Sequence, residues 1–332
     1  MTQHTVTVGT TTVPCGPDQT VLDALLRGGV WMPNSCNQGT CGTCKIRVRS
    51  GSVEHNASPE DTLPQTERAD GFALACQATV CADTVVEPPA GEQTTATHVL
   101  RDLVATVTEV RDIARDTRRV LLTLDAPLEF SAGQYVEVTV PGTDVRRQYS
   151  LANPPSEPKL LELHIRRRPG GVASDGWIFG AVSVGDRVDV TGPFGDFTFD
   201  AESTGPMVLL AGGTGLAPMK SIVRHALALD PHRAITVYHG VRTAEDLYDV
   251  ALLREWEGQH PGLRLVTCLS RATGGDREGY ATDAFVEDVA SAKEYTGYIC
   301  GSEAFVDSAV KAFKRRRMSP RRIRREKFTS AV

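Results

Sequence analysis

The stretch Ser35-Cys36-Asn37-Gln38-Gly39-Thr40-Cys41-Gly42-Thr43-Cys44 sets three cysteines in C-x4-C-x2-C spacing, and Leu74-Ala75-Cys76-Gln77 supplies another. Three thiolates can converge from so short a segment only if the loop curls tightly, because a helix or strand would point them apart. Gly39 and Gly42 permit the backbone angles this needs, and their small neighbours let backbone N–H groups face cluster sulfurs. This is the spacing that holds a 2Fe-2S cluster, with Cys36, Cys41, Cys44 and Cys76 as ligands. A structural zinc site usually takes paired C-x2-C units, and the chain has one. Disulfides are disfavoured without a signal peptide. Cys15, Cys81 and Cys268 read as small buried hydrophobes, with Cys81 the rival to Cys76 as fourth ligand. Such a cluster passes single electrons, so the rest of the chain must supply them.

At 332 residues the chain has room for two or three domains, and its apolar fraction of 41% is that of a globular protein. No long apolar run and no N-terminal hydrophobic segment is present, which predicts a soluble, cytoplasmic protein without a membrane partner. Between Lys311 and Lys327 stand ten Lys or Arg and one acid, Glu326, leaving 26 of the 36 basic and 40 of the 41 acidic residues elsewhere. A basic tail on an acidic body predicts a solvated last helix with salt bridges to that body. A docking surface for an acidic partner or for cofactor phosphates is the next reading. No aromatic residue interleaves with the arginines, so nucleic acid is not expected.

Organisation falls into three segments. Residues 1–90 read as mixed strands with helices: a strand at Val6–Val13, a helix at Thr20–Gly28, the cysteine loop, a strand at Lys45–Arg49, a surface helix at Pro59–Gly71 and a closing strand at Thr79–Val86. A polar linker follows at Glu87–His98. Residues 99–203 carry closely spaced strands punctuated by Gly and Pro, which predicts a small antiparallel barrel with a short helix at Ser174–Phe179. Residues 204–332 alternate strand and helix, with strands at Met207–Ala211, Ile235–Tyr238, Leu263–Leu269 and Gly297–Cys300, which predicts a parallel α/β sheet. The helices fall at Pro218–Leu229, Asp246–Glu257, Thr282–Val289 and Ala304–Arg316. The fold class is therefore an α+β and α/β multidomain chain.

Within the barrel segment, Arg147-Gln148-Tyr149-Ser150 puts a cation and an aromatic on one face of a strand. Arg147 can neutralise a diphosphate while Tyr149 covers a flavin, and Ser150 offers a hydroxyl or N–H to the flavin N5 edge. Pro169-Gly170-Gly171-Val172-Ala173-Ser174 leads glycines into a helix start, where free N–H groups suit phosphate. In the α/β segment, Gly212-Gly213-Thr214-Gly215 with Pro218 follows a strand and opens a helix, the context for a dinucleotide. Arg242, after Gly240, can meet a phosphate or the adenosine ribose. Cys300-Gly301 ends the last strand, where a nicotinamide would sit, although a buried strand cysteine reads equally well there.

Together these motifs resemble the three-domain ferredoxin–FAD–NAD(P)H reductases of oxygenase systems, in the ferredoxin–NADP reductase superfamily. The resemblance rests on the cysteine loop, Arg147-Gln148-Tyr149-Ser150, Gly192-Pro193-Phe194-Gly195-Asp196-Phe197, Gly212-Gly213-Thr214-Gly215, Cys300-Gly301 and Glu326-Lys327-Phe328, and spans essentially the whole chain. It implies a β-grasp 2Fe-2S ferredoxin, an antiparallel β-barrel FAD domain and a parallel α/β nucleotide-binding domain, and it favours Cys76 from its Leu-x-Cys-Gln context. It implies FAD contacts at Arg147, Gln148, Tyr149, Ser150, His164, Ile165, Arg166, Gly171, Val172, Ser174 and Thr214, with Phe328 stacked on the flavin ring. It implies nicotinamide nucleotide contacts at Gly213, Gly215, Arg242, Ser270, Arg271, Cys300 and Gly301, with Ser150 and Cys300 catalytic. Thr329–Val332 extend past Phe328, where relatives often stop, and Arg271 can favour NADPH although the family mostly uses NADH. The implied activity is hydride transfer from NADH to FAD and single-electron delivery through the cluster to an oxygenase. The resemblance is closest to reductases of cytochrome P-450 aromatic O-demethylases, with Rieske dioxygenases, diiron monooxygenases or a non-catalytic redox-sensing role as alternatives. Trp31 and Met32 are the candidate partner contacts.

Overall fold

The computed structural model describes residues 3–89 and 96–328. The middle of the expected linker, residues 90–95, and the extension Thr329–Val332 lie outside them. The described chain forms two compact units, one of residues 3–89 and 96–101 with Gly192–Asp196, the other of Asp102–Thr191 and residues 197–328.

In the first unit, β1 (His4–Val8) and β2 (Thr11–Cys15) form an antiparallel hairpin, which turns at Gly9 in the left-handed region. The expected single strand Val6–Val13 is thus two. Helix α1 (Val21–Arg27) begins at Thr20, whose hydroxyl accepts from Asp23 N at 3.2 Å. It buries Val21, Leu22, Leu25 and Leu26. Next come β3 (Lys45–Ser50), β4 (Val53–Glu54), α2 (Gln65–Ala69), β5 (Phe72–Leu74), β6 (Thr79–Val80) and β7 (Thr84–Glu87). The main sheet runs β2-β1-β7-β3-β5, and β4 pairs with β6. The expected helix Pro59–Gly71 shrinks to α2 because Pro64, at its N-cap, favours extended backbone before it. The expected closing strand splits into β6 and β7 around a bend at Cys81–Ala82.

The barrel segment holds β8 (Arg101–Ala114), β9 (Thr117–Leu124), β10 (Tyr135–Thr139), β11 (Arg146–Ser150), β12 (Leu160–Arg166) and β13 (Arg187–Phe194). Their order is β11-β10-β13-β8-β9-β12, and a bridge between Leu151 and Leu163 joins the two edges into a barrel. Alternate residues of β12, Leu161, Leu163 and Ile165, enter the barrel core with Val107, Val120, Leu122 and Val136. A helix with i→i+5 hydrogen bonds covers Val172–Ala181, longer and wider than the expected Ser174–Phe179.

A wholly parallel sheet follows, ordered β17-β16-β15-β14-β18-β19, from β14 (Met207–Gly212), β15 (Ile235–Val241), β16 (Leu263–Leu269), β17 (Arg277–Glu278), β18 (Thr296–Ser302) and β19 (Ile323–Phe328). Its helices are α3 (Leu216–Leu229), α4 (Val250–Gln259), α5 (Ala281–Asp288) and α6 (Glu303–Arg315). Helix α4 starts later than the expected Asp246, because Asp246 closes a capping box with Thr243 and Asp249 takes φ 53°. Apolar strands are buried on both faces, by one core around Leu209, Val237 and Met219 and another around Leu210, Phe285 and Phe313. Edge strand β19 was not expected. The basic tail that contains it pairs in part with acids: Arg324 with Asp200 at 3.1 Å, and Lys327 with Glu303 and Asp307 at 3.0 Å each. No helix among the described residues is long and apolar enough to cross a membrane.

Candidate functional site

In the cysteine loop, Gly39 (φ 79°) and Gly42 (φ 73°) hold left-handed backbone that other residues rarely adopt. The loop brings Cys36, Cys41 and Cys44 to Cys76. Cys44 Sγ lies 3.2 Å from Cys76 Sγ, and Cys36 and Cys41 are hydrogen-bonding neighbours. The sulfurs thus fall into two pairs, as two irons with two thiolates each require. Gln38 N and Thr40 Oγ1 donate to Cys36 Sγ at 3.4 and 3.5 Å, and Gln77 Nε2 donates to Cys76 Sγ at 3.6 Å. Hydrogen bonding from Cys41 lowers the Cys36 thiol against its burial, and the same contact raises Cys41, so the two thiols share one site's electrostatics. This donor set fits a 2Fe-2S cluster. Cys81 is exposed, contrary to the expectation of a buried hydrophobe, because it sits in the bend after β6 with its N–H donated to Ser52 O. Cys15 and Cys268 are buried. Met32 is fully buried and so is no partner contact, whereas Trp31 is half-buried.

On the barrel, Arg147 and Tyr149 share one face of β11, paired across to Val138 and Val136. Among the described residues Arg147 pairs with no carboxylate and donates to Arg146 O, which suits its cation to a diphosphate. Tyr149 packs its ring on the barrel core. These groups and the Gly171 turn fit a flavin dinucleotide. Gln148 points elsewhere, to Glu137 at 3.2 Å. The His164 side chain is 0% exposed and bonded to Glu162, and Ile165 lies in the barrel core, so these two can meet a cofactor only through backbone atoms. Val172 is exposed, and Ser174 Oγ accepts from Arg168 N at 3.0 Å.

The nucleotide cavity, about 850 Å³, opens at the carboxyl ends of the parallel strands. Arg166, Gly213, Thr214, Arg242, Ser270 and Phe328 line it. Gly213 has φ 56°, and a Cβ there would meet only Arg166 Nη1, at 3.8 Å, so the turn presents bare backbone to the cavity. This cradle fits a dinucleotide phosphate. Arg271 is exposed and outside the lining, and Gly215, Cys300 and Gly301 lie behind it. Lys311 and Arg315 of the basic tail line it as well.

Behind the cavity stands a group the sequence did not reveal. Ser150 Oγ donates to Glu326 Oε2 at 3.0 Å, and Cys300 Sγ approaches the same oxygen at 3.6 Å. Glu326 is buried on β19, opposite Cys300 of β18. Burial first, and then the Glu326 charge, push the Cys300 thiol well up, so it stays protonated. Alternation within Ile323-Arg324-Arg325-Glu326-Lys327-Phe328 was the available signal, and its charge disguised the strand.

A cluster-holding ferredoxin module, a flavin barrel and a parallel nucleotide sheet on one chain define an iron–sulfur flavoprotein that oxidises a nicotinamide nucleotide. Family models match in the same sense: a 2Fe-2S iron-sulfur cluster binding domain over residues 5–81, an oxidoreductase FAD-binding domain over 104–199 and an oxidoreductase NAD-binding domain over 209–311. The chain is 60% identical over 330 residues to the aromatic O-demethylase reductase subunit of Amycolatopsis sp., covering 98% of each. It is 35% identical to the reductase component DmpP of phenol 2-monooxygenase from Pseudomonas sp., covering 95% of this chain and 90% of that one. The crystal structure of the Amycolatopsis cytochrome P450 reductase GcoB superposes with TM-score 0.96 at 59% identity, covering 99% of this chain and 100% of that one. The chain belongs to the family of three-domain reductase components of oxygenase systems, and it is an electron-transfer oxidoreductase.

Proposed function

We propose that this chain is the NADH-dependent reductase of a cytochrome P-450 system that O-demethylates aromatic compounds. The observation that carries the reading is identity along nearly the whole chain: 60% to an aromatic O-demethylase reductase subunit and 59% to the cytochrome P450 reductase GcoB. Identity to the phenol 2-monooxygenase component is 35%, which favours an aromatic O-demethylase system over a phenol monooxygenase. FAD, when bound, takes a hydride and the cluster carries electrons singly, which is the chemistry of those groups.

The chain's own residues supply binding, orientation and proton placement. Arg147 and the Gly171 turn are assigned to the flavin diphosphate, and Tyr149 to its ring. The Gly213–Gly215 turn is assigned to the nicotinamide nucleotide diphosphate. Ser150 Oγ, held by Glu326 Oε2 at 3.0 Å, is positioned to exchange a hydrogen bond with the flavin edge. Phe328 lines the nucleotide cavity and must yield space to a nicotinamide entering there. We assign NADH rather than NADPH, because Arg271 lies outside the cavity lining. Arg242, Lys311 and Arg315 do line it, so the kcat/KM ratio between the two nucleotides is the decisive measurement, expected above about 10 in favour of NADH. Cluster-ligating thiolates need a reducing compartment, which supports a cytoplasmic location.

The test is a spectrum with a turnover assay. Purified protein shows flavin and iron–sulfur absorption and reduces cytochrome c with NADH. Cys41→Ala abolishes that reduction while ferricyanide turnover survives. Loss of both in folded, FAD-bound protein contradicts the relay order. Coupling to a P-450 that demethylates a methoxyarene, but not to a diiron hydroxylase, supports the partner, and the reverse refutes it.

A further inference from the structure

Strand β12 turns Glu162 and His164 away from the barrel core, yet both are buried. The nucleotide domain covers them. Glu162 Oε1 accepts from His164 Nε2 at 2.9 Å and from Lys220 Nζ of α3 at 2.8 Å. Lys220 Nζ also donates to Asp249 Oδ2 at 2.7 Å, and its side chain is 3% exposed. The ligand atoms of Glu162, His164 and Asp249 lie within 4.8 Å of one another, the arrangement of a cation site. The chain provides the cation itself, as the Lys220 ammonium.

The next residues of α3 continue the bond to the barrel. Ser221 Oγ donates to Asn153 O at 2.7 Å, and Arg224 Nη2 donates to Glu157 Oε1 at 2.7 Å. Asn153 in turn accepts from Glu162 N at 3.0 Å. The amino end of this same helix is the Gly213–Gly215 turn, whose Gly213 and Thr214 line the nucleotide cavity. Apolar surfaces can slide against each other, but buried charge-assisted hydrogen bonds are directional and tolerate little displacement.

We propose that Lys220 is a positioning residue for hydride transfer: it locks the nucleotide-binding turn at the head of α3 to strand β12 of the flavin barrel. This rests on the nicotinamide assignment of the cavity. A shift of about 1 Å between reacting groups can cost on the order of 10²-fold in rate.

Removing the ammonium alone strands buried carboxylates and endangers the fold. The main variant is therefore Lys220→Met with Glu162→Gln, which removes the ammonium and the more buried of its two carboxylate partners and leaves Asp249, 11% exposed, as the one charge without its cation. Asp249→Asn is the milder variant, since it keeps the Lys220–Glu162 bond. Holoprotein is mixed anaerobically with NADH and flavin bleaching is followed over a range of concentrations, giving the limiting rate and Kd separately. Hydrogen–deuterium exchange of residues 213–216 is measured on the same samples without NADH. The double variant is expected to retain FAD and cluster, to lose about 10- to 100-fold in limiting rate, to shift Kd less than about threefold, and to exchange faster at the turn. Asp249→Asn is expected to lose about three- to tenfold. A limiting rate within twofold of the parent with unchanged exchange overturns the proposal. So does loss of fold or FAD in both variants, which makes the cluster a stability element only. Parent protein that NADH fails to bleach refutes the nicotinamide assignment instead.

Discussion

Substituting Gly215 by Ala tests how closely the nucleotide turn must approach β18. The residue has φ −59°, so alanine is permitted by its backbone and the effect comes from space alone. A Cβ at Gly215 would lie 2.1 Å from Cys300 O and 2.5 Å from Cys300 C, whereas ordinary contact begins at 3.4 Å. Both obstacles are backbone of a central strand and cannot rotate away. The turn must therefore retreat by about 1.3 Å, the difference between 2.1 and 3.4 Å. Overpacking of this kind costs about 1–3 kcal/mol of stability. A displacement of that size at the nucleotide cradle is expected to lower the limiting hydride-transfer rate about 10²-fold. The three atoms nearest the new methyl all belong to Cys300 and Gly301 of β18, so flavin and cluster absorption are expected to stay at parental levels. Gly258→Ala in α4 is the control, since nothing lies within 4 Å of its Cβ. It is expected to gain about 0.5–1 kcal/mol from helix propensity and leave the rate alone. Stopped-flow flavin reduction and thermal melts read both. A Gly215→Ala protein with parental rate and melting temperature would refute the steric reasoning.

Glu326→Gln keeps the shape of the shared acceptor but removes its charge from Ser150 and Cys300. It is expected to slow flavin reduction about tenfold with FAD retained, measured by single-turnover kinetics. Among the cysteines outside the cluster, Cys81 alone is exposed, while burial pushes Cys15 up to about 11 and Cys268 up to about 12. Maleimide labelling of native holoprotein, read by mass spectrometry, should therefore mark Cys81 rapidly and leave Cys15, Cys268 and Cys300 unmarked. His239 is wholly buried, which lowers it from 6.5 to about 4, and Nε2 bonds Gly213 O at 3.2 Å. The folded group is neutral where the unfolded one is charged, so its stabilisation is complete above pH 6.5 and is lost as pH falls toward 4. For Glu162, burial is outweighed by the His164 hydrogen bond and the Lys220 charge, which hold it at about 2, so its contribution is full above pH 4.5 and fades below. Urea melts across this range should lose the upper slope in His239→Gln and the lower slope in Glu162→Gln.

Sequence alone determined the features whose chemistry is local. Cys36, Cys41 and Cys44 must be close because one loop carries them, and Gly39 and Gly42 already encode its curl. Leu263–Leu269 is a strand in the structure as its apolar run required, and the Gly212–Gly215 turn heads a helix because strand, glycines and helix are contiguous. Punctuation by Pro64 and Gly9 was legible in principle, yet the apolar pattern ran across both and blurred the element ends. Tertiary structure decided what depends on distant partners. Glu326 reaches Ser150 across 176 positions and Cys300 across 26, so no local pattern could announce that group. Lys220 reads as a surface lysine on its helix until Glu162 and Asp249 arrive from other elements to bury it. Covalent neighbours constrain short segments directly, whereas charges from separate segments meet only after the cores have packed, and desolvation then gives them their strength.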